Sequence, residues 1–188
     1  NPIITKLKLL MNELEELLHG IAALKELSAQ SKDLIISFGE RCSTLMISKI
    51  LEQTISNVQP SDASQYILTD NHFGQAQVNE EVTFSNIRKL VEENSDKLLV
   101  VTGFIAANKD GRLTTLGRGG SDYTAALIGA ALLAEEIQIW TDVDGMMPAD
   151  PRLVKTAFSL ENLSYTEAME LSYFGAKVIY PPTMTPAF

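Results

Sequence analysis

Apolar residues recur at Leu7, Leu10, Met11, Leu14, Leu17, Leu18, Ile21 and Leu24, which predicts an amphipathic helix from Ile4 to about Leu27, with Gly20 as a candidate interruption. The pattern then shortens. Asp33 to Phe38 is a compact apolar run that reads as a buried strand, and Glu40 to about Ile55 reads as a second helix. Tyr66-Ile-Leu68 is a fainter strand pattern. Phe84 to Asn94 has helical spacing, and Leu98-Leu-Val-Val-Thr102 is the most distinct strand of the chain. Asn108-Lys-Asp-Gly111 is a turn. Ser121 to Ala134 is a helix that is apolar nearly all round and therefore buried, and Ile137 to Thr141 is a further continuous apolar strand. Ser164-Tyr-Thr-Glu167 matches a capping box and Gly175 supplies a stop, framing a helix from Ser164 to Phe174.

Strands that are apolar throughout and alternate with helices predict an α/β fold whose mostly parallel sheet is covered on both faces. In such sheets ligands bind beyond the carboxyl ends of the strands. Three expected strand ends run into glycine or acidic residues: Gly39-Glu40, Gly103-Phe104 and Asp142-Val-Asp144. Their convergence is where a site is expected.

Composition narrows the field. With 188 residues, 45% of them apolar, the chain suits one globular domain. Its 15 basic and 24 acidic residues give a net charge of −9, which disfavours nucleic acid and anionic membranes as partners. No apolar run reaches the roughly 18 residues of a membrane span. The single cysteine, Cys42, excludes an internal disulfide framework and fits a reducing cytoplasm. The chain opens inside a helical pattern and stops at Pro186-Ala-Phe188, so an excerpt from a longer protein is expected.

The candidate chemistry lies in two segments. In Gly117-Arg-Gly-Gly-Ser-Asp122, glycines let the backbone approach a ligand, and amides at a helix start bind anions. Arg118 could grip a carboxylate in a bidentate fork, Ser121 could donate to a ligand, and Asp122 could orient an ammonium, a lysine or a metal-bound water. The plainer alternative is a glycine turn with Ser121 or Asp122 as helix cap, worth about 1 kcal/mol. Thr141-Asp-Val-Asp-Gly145 could meet a nucleotide, its magnesium or a ribose hydroxyl; it could equally be an Asx turn.

Glu40 could receive a substrate ammonium or serve as a first-turn glutamate favoured by the helix dipole. Arg152, after Asp150-Pro151, could neutralise phosphate or mark a surface turn. Lys177 could reach phosphate or complement a helix end. No P-loop and no Gly-x-Gly-x-x-Gly turn is present, and His19 and His72 share no metal-like spacing with other ligand residues, so no zinc site is expected.

Leu116-Gly-Arg-Gly-Gly-Ser-Asp-Tyr-Thr-Ala125, Trp140-Thr-Asp-Val-Asp-Gly145, Asp150-Pro-Arg152 and Ser164-Tyr-Thr-Glu-Ala-Met-Glu-Leu-Ser-Tyr-Phe-Gly-Ala-Lys177 occur in that order. Together with Phe38-Gly-Glu-Arg41 they closely resemble aspartate kinase, of the amino-acid kinase family, from about Leu34 onward. Leu18-His-Gly-Ile21 also resembles the lead-in of bifunctional aspartate kinase–homoserine dehydrogenases.

The resemblance implies a three-layer αβα sandwich with a mostly parallel central sheet, incomplete at the amino terminus. It implies ATP-dependent phosphorylation, with Mg2+, of the side-chain carboxylate of L-aspartate to 4-phospho-L-aspartate, towards lysine, threonine and methionine. By this match Glu40, Arg118 and Ser121 would bind aspartate, and Asp122 would organise the catalytic centre. Thr141, Asp142, Arg152 and Lys177 would surround the nucleotide. A cytoplasmic homo-oligomer is expected of the full-length protein. A carboxylate nucleophile with a pKa of about 3.9 is already ionised at neutral pH, so the chemistry needs no general base.

Several features depart from the family. Its Lys-x-Gly-Gly-Thr/Ser segment and regulatory domains are not in these residues. Met147 stands where a tyrosine is common, and Tyr180-Pro-Pro182 replaces a more usual His-Pro-Arg. These 188 residues alone are therefore expected to have little or no activity. The alternatives are another amino-acid kinase, acting on glutamate or acetylglutamate, and a non-catalytic α/β ligand-binding or regulatory module.

Overall fold

The computed structural model describes residues 2–142, 144–150, 152–174 and 181–187. Helix α1 spans Pro2–Leu24 and runs through Gly20 without a break. It ends where Lys25 turns left-handed at φ 54°. Helix α2, Ala29–Leu51, starts at Ser28, whose side chain accepts from the Ser31 amide at 3.0 Å.

This helix absorbs the strand expected at Asp33–Phe38. A short apolar run cannot distinguish a buried strand from a buried helix segment. The spacing of the buried residues Asp33, Ser37, Phe38, Thr44 and Ser48 is helical, and Ile36 is left 38% exposed. The hydroxyls of that stripe are satisfied inside the helix: Ser37 donates to the Leu34 carbonyl and Ser48 to that of Thr44, each at 2.7 Å. Gly39-Glu40 is consequently mid-helix, not a strand end.

Strand β1, Val58–Ser61, pairs in parallel with β3, Leu98–Val101. Strand β2, Leu68–Thr69, pairs in parallel with β4, Ile105–Asn108, and β4 pairs antiparallel with β5, Leu113–Thr115. The fold is α/β with mostly parallel pairing, as the sequence predicts, although the described strands form two sheets. β1, β4 and β5 have no counterpart in the sequence pattern because Val-Gln-Pro-Ser, Ile-Ala-Ala-Asn and Leu-Thr-Thr lack the continuous run of large aliphatic residues that marks β3.

All four positions of β4 are buried, so both of its faces are covered. Helix α3, Glu80–Glu93, and helix α4, Gly120–Leu132, supply one cover. Their Ile87, Leu127 and Ala131 join Ala63, Tyr66, Ile67, Ala106 and Leu116 in the main core. Helix α2 packs against β1, β3 and β5, and α1 packs on α2.

The strand expected at Ile137–Thr141 is not found. That stretch has no ladder partner among the described residues, and Trp140 is 89% exposed. Ile137 packs against Gly129 of α4, where there is no room for a Cβ. Asp142–Asp144 therefore follows a loop rather than a strand. Helix α5, Tyr165–Phe174, has the expected capping box: the Ser164 amide donates to Glu167 Oε2 at 2.8 Å and the Glu167 amide to Ser164 Oγ at 3.3 Å. Gly175, its expected stop, lies outside the described residues. A 3₁₀ segment, Pro181–Ala187, packs on α4. Among the described residues no helix is long and apolar enough to cross a membrane.

Candidate active site

The glycine turn is built by left-handed backbone. Gly117 and Gly119 have φ of 75° and 70°, values that side chains resist and glycine accepts. The turn feeds α4 directly. Gly119 occupies the cap position, and no side chain caps the helix, so the plainer reading of Ser121 or Asp122 as helix cap fails. An N-terminus without a side-chain cap leaves first-turn amides available to an anion.

The segment after β3 presses on this helix start. A Cβ at Gly103 would lie 3.0 Å from both Cβ and Oγ of Ser121. The Phe104 amide donates to Thr124 Oγ1 at 3.1 Å, and the Leu116 amide donates to the Phe104 carbonyl at 2.9 Å. Phe104 itself is left-handed, at φ 67°, a conformation rare outside glycine. Of the three expected strand ends, Gly103-Phe104 is the one that stands at a strand end and at the site.

Glu40, Phe104, Gly117, Gly119, Gly120, Ser121 and Asp122 line one cleft of about 340 Å³. The structure thus brings Glu40 of α2 to the glycine turn, across about 80 residues of sequence. Burial raises the pKa of both Glu40 and Asp122. A carboxyl with a higher pKa folded than unfolded costs stability above its folded pKa, and that cost fades as pH falls through it. Both groups are therefore held at a cost that a cationic ligand would relieve.

The remaining candidates are spread out. Arg118 is exposed and borders the neighbouring 270 Å³ pocket, with Gln75, Gln77, Glu80, Tyr123 and Thr183. It shares the turn with Ser121 but not the cleft lining. Thr141 donates to Asp142 at 3.2 Å, and both are exposed. Arg152 is exposed and closes a fork on Asp150, with Nη2 2.6 Å from Oδ2 and Nε 3.0 Å from Oδ1. That pairing lowers the Asp150 pKa to about 2. Lys177 lies outside the described residues. No group of three or more His, Cys, Asp or Glu that could hold a metal is found among the described residues. His72 pairs with Asp70 at 2.6 Å, away from the cleft lining.

Residues 3–188 match the amino acid kinase family. The chain belongs to that family. It is 39% identical over 181 residues to the lysine-sensitive aspartokinase 3 of Escherichia coli, matching 93% of this chain and 40% of that protein. It is 40% identical over 178 residues to the bifunctional aspartokinase/homoserine dehydrogenase of Buchnera aphidicola, matching 93% of this chain and 21% of that protein. The crystal structure of E. coli aspartokinase III in complex with aspartate and ADP superposes on the whole chain with a TM-score of 0.92 at 37% identity, and 42% of that chain is covered. The chain thus spans 21% to 40% of the length of these two relatives.

Within this kinase-family fold, one buried polar residue was missed by the sequence reading. Asp33 is fully buried on α2 and bonded to β5 and to the loop at Gly74. Its signal was a lone carboxyl at the head of an apolar run, directly after Ser31 and Lys32, a place that a strand assignment made look like a boundary.

Proposed function

We propose that the full-length protein phosphorylates the side-chain carboxylate of L-aspartate with ATP, giving 4-phospho-L-aspartate. The observation that carries the reading is the shared cleft of Glu40, Ser121 and Asp122 at the uncapped start of α4. The likeness to aspartokinases, one of them crystallised with aspartate and ADP, selects the substrates.

In this reading Glu40 receives the ammonium group of aspartate, which returns the pKa of the buried carboxyl toward its ordinary range. Arg118 and Ser121 hold its α-carboxylate from the two sides of the glycine turn. The side-chain carboxylate, ionised without a base, attacks the γ-phosphorus in line, and ADP leaves. Positioning and charge neutralisation carry the rate, which matches a site with no catalytic histidine. Mg2+ arriving with a nucleotide keeps water and phosphate ligands and takes few carboxylates; Asp122 is suited to such a contact. Bound there, the ion would neutralise charge on the phosphate oxygens. Thr141, Asp142, Arg152 and Lys177 are proposed to face the nucleotide. The product would enter synthesis of lysine, threonine and methionine.

The cleft lining has two carboxylates and no basic side chain, so cations for a triphosphate must come from elsewhere. Hydroxylamine trapping tests the function: the full-length protein with ATP should yield hydroxamate from aspartate, and not from glutamate or acetylglutamate. Hydroxamate from either of the other two, or from none, overturns the assignment.

A further inference from the structure

Asp33 is 0% exposed and sits on α2, seven residues before Glu40. Seven residues are nearly two helical turns, so the two carboxyls share a face of α2 about 10 Å apart along its axis. The Oδ2 atom of Asp33 accepts from the Gly74 amide at 2.8 Å and the Thr115 amide at 3.0 Å. Its Oδ1 accepts from the Thr115 hydroxyl at 2.9 Å.

These partners are the two supports of the glycine turn. Thr115 ends β5, two residues before Gly117. Gly74 and Gln75 lie directly against Gly117: a Cβ there would stand 3.2 Å from the Gly74 carbonyl oxygen and 3.2 Å from Gln75 Cγ. The Ala76 amide also donates to the Thr115 carbonyl at 2.9 Å, tying the two supports together. A buried carboxyl whose two oxygens take three donors is rigid, because every alternative arrangement leaves a buried polar group unmatched.

We propose that Asp33 is a positioning residue for the amino-acid site, setting the span between Glu40 and the Arg118–Ser121 turn. The proposal rests on the aspartate kinase reading for its substrate. The clamp joins the element that carries the ammonium acceptor to the turn that holds the carboxylate, so it should govern the amino acid far more than the nucleotide. An Asn side chain can keep the geometry: its oxygen can take both amides, and its NH2 can donate to Thr115 Oγ1. Ala cannot.

The test uses the full-length protein and its Asp33→Ala, Asp33→Asn and Thr115→Val variants. Asp33→Ala should raise the KM for aspartate about 10- to 100-fold and leave the KM for ATP within about twofold. Asp33→Asn should recover most of that loss, and Thr115→Val should show a smaller rise in the same direction. Hydrogen exchange supplies a readout independent of turnover: amides of residues 74–76 and 115–121 should exchange faster in Asp33→Ala, while those of α3 stay unchanged. Equal losses for both substrates with faster exchange throughout would make Asp33 merely structural and overturn the proposal. Unchanged aspartate KM and unchanged exchange at the turn would overturn it as well. If Asp33→Ala does not fold, an unaltered aspartate KM in Thr115→Val is the overturning result. If wild type makes no aspartyl hydroxamate, the function fails by itself, and exchange at the turn still decides the clamp.

Discussion

The Cδ2 atom of Phe104 lies 2.8 Å from where a Cβ on Gly120 would stand, so helix α4 begins against an aromatic ring that only glycine can approach. The same Cβ would be 3.1 Å from Leu116 Cβ and 3.2 Å from Phe104 Cα. Rotating the ring cannot relieve a contact with backbone.

Gly120→Ala is therefore expected to destabilise by about 1–3 kcal/mol through overpacking, and to raise the KM for aspartate as Ser121 moves off the segment 103–104. Urea unfolding and steady-state kinetics would check both. Gly39→Ala is the control: its Cβ meets nothing within 4 Å, and in the interior of α2 it should stabilise by roughly 0.5–1 kcal/mol.

Glu40 gives a pH signature. Its pKa is raised by burial, and only the ionised form attracts an ammonium group. Affinity for aspartate should therefore fall as pH drops through that raised value, above the range near 3.9 where the substrate's own side chain titrates. In Glu40→Gln this limb of the kcat/KM profile should disappear, with weaker binding at neutral pH. An unchanged profile would assign the limb to another group.

The same substitution should act oppositely on stability. Removing a carboxyl whose pKa is higher folded than unfolded relieves its cost above that pKa. Glu40→Gln and Asp122→Asn should each raise the thermal midpoint at neutral pH while lowering activity, and the gain should shrink as pH falls. Midpoints measured across pH would show it.

Arg118→Ala should raise the KM for aspartate by about 10-fold or more, since a charged hydrogen bond to a carboxylate is worth about 1.5–3 kcal/mol. Arg118→Lys should recover only part, because a point charge replaces a planar fork. Unchanged turnover and KM in Arg118→Ala would favour the non-catalytic module.

Arg152 offers a test of the nucleotide assignment. Its fork on Asp150 holds that carboxyl at a pKa of about 2. Nucleotide that recruits Arg152 should release Asp150 toward its ordinary range, as Arg152→Ala would do outright. Carboxyl NMR titration with and without nucleotide distinguishes a recruited arginine from a surface turn that stays closed.

Helices α1, α3 and α5 were legible because each has either long-range apolar periodicity or a capping signature, and α4 was legible as a long apolar run opened by a glycine turn. Strand β3 was legible as a run of β-branched and aliphatic residues. The Asp33–Phe38 stretch was not, since six residues with four apolar side chains fit either backbone. Ile137–Thr141 misled for a related reason: apolar residues favour burial, but a strand also needs a partner ladder, which no local pattern supplies. The capping box at Ser164 succeeded because all its bonds close within four residues.

The sequence by itself determined the glycine turn, its Arg118, Ser121 and Asp122, and the alternation of helix and strand, because backbone freedom and periodicity are local properties. Tertiary structure decided the rest. It placed Glu40 mid-helix yet in the same cleft as Ser121, set Arg118 on the far side of the turn, and bound Asp33 to Thr115 across 82 positions. Those relationships are long-range contacts between residues unremarkable in their own neighbourhoods. They exist only once the core has packed and every buried polar group has found its partner.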